Sequence, residues 1–251
     1  MNIVFYIVIF LIGVIIGEFW NEQVTELPQK LDLKKTHYSN KKNEKIITNI
    51  TYAVIGGIIS LILAFTLKIT PQKFDIVNLI IYIFTMLYMS TLVIIAGIDI
   101  NYSKIDKKLL AYGVVTSMVY MIYISIIAPE SIYLNLGYLL IYTILLLIDA
   151  FLLRKFAKDS YIINLLILIA ITLVYSNFII VTYTLVMTLI GVLVYIFILN
   201  VQKKKNGNKK IKINEIPFGY FISASNIIIL FMVICSLNLI MLKLVIKMVV
   251  G

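Results

Sequence analysis

The sequence predicts an all-α, polytopic membrane protein with about eight transmembrane helices. Three observations lead there. Of 251 residues, 62% are hydrophobic and only 14% charged, against about 25% charged in a soluble domain. The apolar residues arrive in runs of about twenty, the length an α-helix needs to cross roughly 30 Å of hydrocarbon at about 1.5 Å per residue. Short polar breaks separate the runs, and most of the lysines fall in alternate breaks.

The expected spans are residues 3–20, 46–67, 76–98, 109–128, 132–153, 160–175, 178–199 and 216–237, forming one membrane domain over 1–251. No basic residue precedes the run from Ile3 to Trp20, and it is long for a secretion signal, so it reads as a retained helix. Spans 4 and 5 are parted only by Pro129-Glu130-Ser131, and spans 6 and 7 only by Ser176-Asn177. A seven-span arrangement therefore stays open if either pair is one broken helix.

Orientation follows from the basic residues. Loops after spans 1, 3, 5 and 7 hold Lys30, Lys34, Lys35, Lys41, Lys42 and Lys45; Lys104, Lys107 and Lys108; Arg154, Lys155 and Lys158; and six lysines from Lys203 to Lys212. That is eighteen of the 22 basic residues; Lys68, Lys73, Lys243 and Lys247 fall on the other side. The positive-inside rule then puts both termini outside and the basic loops in the cytoplasm. The net charge of +10 thus reflects topology and attraction to anionic lipid. No aromatic or motif pattern among the lysines points to nucleic acid. The run around Asn206-Gly207-Asn208 reads as a turn at the lipid surface, and Lys243 with Lys247 as an interfacial helix. Gly56-Gly57 and Gly191 read as close helix contacts.

Cys235 is the one cysteine and His37 the one histidine, so no disulfide or cysteine-rich zinc site is expected, and no cofactor. Chemistry must come from acids touching the spans, because ionisable groups are costly there. Four qualify: Glu18, Asp99, Asp149 and Asp159, each near the cytoplasmic end of its span. At a helix C-terminus Asp99 meets the negative end of the macrodipole, so capping does not account for it. Asp159 opens span 6, where an N-cap is the alternative. Asp149, a turn before Arg154, reads first as a residue pairing or snorkelling at the interface. Two aspartates meeting at one membrane face would share a proton, one activating water while the other acts as the acid.

Three segments carry a resemblance. Gly17-Glu18-Phe19-Trp20-Asn21 with Leu27-Pro28 closes the first span, Ile98-Asp99 is followed by Ile105, and Ile216-Pro217-Phe218-Gly219 is followed by Phe221. In this order they resemble the type IV prepilin peptidases, intramembrane aspartic peptidases of the GxGD type, whose segments read G-S-F-x-N…R-L-P, I-D-x-x-x-x-x-I-P-D and I-P-F-G-P-F. The resemblance implies Asp99 and Asp159 as the catalytic pair, Asp159 lying 60 residues after Asp99, with Asp149 as the alternative second acid. Gly17, Phe19, Asn21, Pro28, Pro217, Phe218 and Gly219 are then motif positions. Phe156 and Lys158 stand where the family has the glycines of G-x-G-D, and Asp106 replaces the proline of I-P-D.

The implied activity is cleavage of the basic leader of prepilin-like substrates at the cytoplasmic face of the cell membrane. Family members that also methylate carry two cysteine pairs binding zinc after span 1. The 20–45 loop here has no cysteine, so no metal is expected there and methyl transfer is not. An inactive relative that binds or assembles pilin components, or a transporter with ion-binding acids, are the alternatives. Glu18, Glu22 and Glu26 recur at i, i+4 and i+8, one helical face, and either receive the basic leader or pair with nearby lysines.

Overall fold

The computed structural model describes residues 2–30, 44–72, 75–127, 160–175, 178–205 and 216–232, with isolated positions between 129 and 144. These residues build seven helices: α1 (Asn2–Lys30), α2 (Glu44–Thr66), α3 (Ile76–Tyr102), α4 (Lys107–Ile127), α5 (Ser160–Tyr175), α6 (Phe178–Lys205) and α7 (Phe218–Met232). Five of them, α1, α2, α3, α4 and α6, are long and apolar enough to cross a membrane; α5 and α7 are shorter apolar helices. Ile3, Ile15, Val115, Ile126 and Phe197 are more than half exposed. That is how a helix apolar on every side meets lipid.

The helices outrun the apolar runs in the sequence. α1 continues ten residues beyond Trp20, with Pro28 inside its last turn, so the stretch 20–45 expected as a loop is helical to Lys30 and again from Glu44. Lys203, Lys204 and Lys205, expected in a turn, close α6. Polarity ends the membrane crossing, whereas only a lost backbone bond or a cap ends the helix. Asp149, Asp159, most of span 5 and the Lys243–Lys247 tail lie outside the described residues.

α1 and α2 cross where glycines remove the Cβ. A Cβ on Gly13 would sit 2.8 Å from the Gly57 Cα, and one on Gly17 would strike the Tyr52 carbonyl. The small-residue pattern lets the backbones touch, as expected for Gly56-Gly57. Gly191 likewise faces the Phe221 ring. Trp20, wholly buried, donates Nε1–H to Ser90 Oγ at 2.7 Å and ties α1 to α3. Asn21 Nδ2 donates to Asn49 Oδ1 at 2.7 Å, across to α2.

α3 starts on Asp75, whose carboxylate accepts from the Val77 N–H, and ends on Ser103 in the left-handed region, whose N–H donates to Asp99 O at 2.7 Å. Three residues later Asp106 caps α4, accepting from the Lys108 N–H at 3.2 Å. α5 runs parallel to α4: Asn164 Nδ2 donates to Ile105 O at 3.1 Å, and Ile171 packs where a Cβ of Gly113 would be. α7 runs antiparallel to α3 and α6. Its Asn226 accepts from the Tyr88 hydroxyl at 2.7 Å, and its Phe221 meets Gly191 and Tyr195. The ends of α1, α3 and α6 therefore gather with the starts of α2, α4, α5 and α7 at one end of the bundle.

Candidate functional site

Asp99 lies at that end, in the last turn of α3, and is completely buried. Its place on a helix C-terminus is unfavourable for a carboxylate, and α7 supplies the compensation. Ile216-Pro217 leads into α7 with the Phe218 N–H donating to Ile216 O at 3.0 Å, and the Phe221 N–H donates to Pro217 O, four residues back, at 3.3 Å. The Tyr220 N–H, one of the first-turn donors lacking that partner, donates instead to Asp99 Oδ2 at 3.0 Å. The carboxylate thus sits on the positive end of a helix, a niche for an anion.

Gly219 makes the approach possible. A Cβ there would stand 3.0 Å from Asp99 Oδ2 and 2.9 Å from Ile105 Cδ1, so a side chain at this position would push its neighbours aside. Ile216, Pro217 and Gly219 are buried, and Phe218 partly so. On its other flank, the Asp99 turn is packed by α1 and α2. A Cβ on Gly97 would lie 2.5 Å from the Tyr52 hydroxyl and 2.7 Å from Val24 Cγ2, and Asn101 Nδ2 donates to Gly97 O at 2.8 Å. Segments far apart in sequence thus converge: the end of α1, the end of α3, and the start of α7.

The motif positions fare differently from one another. Gly17 serves the α1–α2 crossing, and Asn21 the bond to Asn49. Phe19 is half exposed and lines an apolar groove of about 480 Å³ with Gln23, Leu27, Met86, Ser90 and Tyr112. That groove faces away from the acid, since Ile94 on its wall and Asp99 are five residues, about 140°, apart around α3. Asp106 is a cap for α4. Glu18 and Glu22 are exposed on α1, while Glu26 is paired with Lys30 at 2.8 Å.

Several residues that shape this end carry no motif signal. Tyr220 acts through its backbone, Tyr52 sits among the apolar residues of α2, and Asn164 is a lone amide within α5. Asn164 had the clearest warning, since a polar side chain inside an apolar helix needs a partner. Among the described residues no three His, Cys, Asp or Glu side chains come together as metal ligands.

Comparison of the chain with protein families, with curated proteins and with solved structures found no match.

Proposed function

We propose that the chain is an aspartic endopeptidase of the cell membrane, cleaving basic leaders from prepilin-like proteins at the cytoplasmic face. One observation carries the reading: the Ile216–Gly219 segment closes on Asp99 through the Tyr220 N–H and the bare Gly219 backbone. Two of the three segments that resemble the prepilin peptidases are thus in contact around the acid assigned to catalysis. α5 begins at Ser160, next in sequence to Asp159, and Asn164 on its following turn is bonded to Ile105, which touches Gly219. This supports Asp159 as the second acid, with Asp149 as the alternative.

In this reading, water adds across the scissile peptide bond. One carboxylate takes a proton from water as its oxygen attacks the carbonyl carbon, and the other aspartic acid protonates the carbonyl oxygen. Collapse of the tetrahedral species breaks the C–N bond as the first aspartate passes the water's proton to the departing nitrogen and the second takes its proton back from the diol. The leader leaves with a new carboxyl group and the mature chain with a free amine, which exchange a proton in water to become carboxylate and ammonium.

Eight crossings with both termini outside fit the described helices. α4 and α5 are parallel neighbours, which supports a crossing between them, and Lys30, Lys104, Lys107, Lys108 and Lys203–Lys205 share the Asp99 end. By the positive-inside rule that end is cytoplasmic. Lipid and the substrate are the partners, with no nucleic acid and no methyl transfer.

Co-expression with prepilin-like substrates tests the proposal, comparing the wild-type chain with Asp99→Ala, Asp159→Ala and Asp149→Ala. Leader removal by the wild type, lost in the first two variants and kept in the third, is expected. Cleavage surviving in Asp99→Ala or Asp159→Ala removes the proposed pair; loss in Asp149→Ala with retention in Asp159→Ala moves the second acid. No cleavage of several such substrates by the wild type rejects the activity.

A further inference from the structure

Buried hydroxyls in this bundle mostly turn back onto a carbonyl of their own helix: Thr91 onto Leu87, Thr116 onto Gly113, Thr184 onto Ile180 and Thr188 onto Thr184. Ser223 in α7 does not. It is fully buried, and its Oγ has no hydrogen-bond partner among the described residues. A buried hydroxyl left this way costs free energy that a partner would return, and a native group of this kind calls for an explanation.

The position of Ser223 supplies one. Gly219, Ser223 and Asn226 are four and seven residues apart, so the three lie within about 60° of one another around α7. Gly219 faces Asp99, and Asn226 accepts from Tyr88 of α3. Ser223 therefore lies on the α3-facing stripe, one turn (about 6 Å) deeper than the Asp99 contact. Of the three other buried polar atoms without a partner among the described residues, Ser103 Oγ and Asp106 Oδ2 lie on the α3–α4 corner and Asn21 Oδ1 lies on α1. Ile105 of that corner touches Gly219. Three of the four thus lie on α7 and on the corner that follows Asp99, where a small polar ligand would satisfy them.

We propose that Ser223 Oγ holds the attacking water against the Asp99 carboxylate, an assignment that rests on the peptidase reading above. Buried waters take two to four polar partners, and the carboxylate and hydroxyl supply two. The water gives one hydrogen bond to each. It loses the Asp99-directed proton as its lone pair meets the substrate carbonyl carbon, and Ser223 is unchanged at the end.

The test separates a catalytic hydroxyl from a packed one. Ser223→Ala removes an unsatisfied group, so the protein is expected to fold with an unchanged or higher thermal midpoint. Its kcat is expected to fall about tenfold to a hundredfold with KM within about twofold, and Ser223→Thr to recover part of the loss. Wild-type kcat in Ser223→Ala overturns the assignment. A second readout is independent of cleavage. In a Cys235→Ser background, the infrared S–H band of Ser223→Cys is expected to exchange rapidly in D2O and to shift on adding Asp99→Ala. A thiol that neither exchanges nor responds overturns the water site, whereas a wild type that cleaves nothing while the thiol exchanges rejects only the peptidase reading.

Discussion

The Tyr220 backbone N–H donates to Asp99 Oδ2 at 3.0 Å, joining residues 121 positions apart. Each solves the other's problem. The carboxylate satisfies a donor at the start of α7 that helix geometry leaves open, and the helix dipole offsets the burial of a charge at the end of α3.

Replacing Asp99 by asparagine and by alanine separates these roles. Asparagine keeps an oxygen for the Tyr220 N–H, so its thermal midpoint is expected near that of the wild type. Alanine orphans a partly buried donor and is expected to cost about 1–3 kcal/mol. Leader cleavage is expected to vanish in both. Thermal unfolding in detergent, set beside the cleavage assay, checks the pattern; equal stability of the two variants would remove the cap from the account.

Gly219→Ala probes the close approach. Its Cβ would enter at 3.0 Å from Asp99 Oδ2 and 2.9 Å from Ile105 Cδ1. Neither neighbour yields freely, because Asp99 is held by α7 itself and the Ile105 side chain is buried in the core. Overpacking of this kind costs about 1–3 kcal/mol, and cleavage is expected to fall at least about tenfold, since a misplacement near 1 Å can cost about a hundredfold. Gly191→Ala is the control. It meets a Phe221 ring at 2.9 Å, away from the acid, and is expected to lose stability with cleavage retained per folded molecule.

Asn164→Leu tests how α5 is held. Leucine fits an apolar helix, yet it leaves the Ile105 carbonyl without its donor. A loss of about 1–3 kcal/mol is expected, with slower cleavage at unchanged substrate affinity, because the start of α5 is no longer fixed to the corner beside Gly219. Asn164→His, which keeps a side-chain N–H donor, is expected to recover part of both. A leucine variant as stable and as fast as the wild type would show that the bond positions nothing.

Helical class and most helix positions were legible because the lipid requirement is written as plain apolar runs. Helix ends were not, because Glu22, Glu26 and Lys30 stay helical beyond the apolar run, where polarity no longer marks the boundary. Asp99 was legible as an anomaly, an acid at the wrong end of a helix dipole. What resolves the anomaly, a backbone N–H of Tyr220, has no side-chain signature at all. Ser223 was invisible for a related reason: a serine in an apolar helix ordinarily bonds its own backbone, whereas in the folded chain this one does not.

The acidic stripe gives the last prediction. Glu18 and Glu22 are exposed on α1, whereas Glu26 is already engaged by Lys30 at 2.8 Å with both side chains well exposed. An exposed pair of this kind is worth at most about 1 kcal/mol, so it does not lock Glu26 away from a competing cation. If the stripe receives a basic leader, Glu18→Lys with Glu22→Lys is expected to raise KM several-fold at low salt, with kcat little changed. The effect should shrink as ionic strength shortens the Debye length to about 8 Å. Glu26→Gln alone is expected to do less, since it also frees Lys30 to repel the leader only at the edge of the stripe. Unchanged KM in the double reversal would reduce the stripe to a solvated helix face.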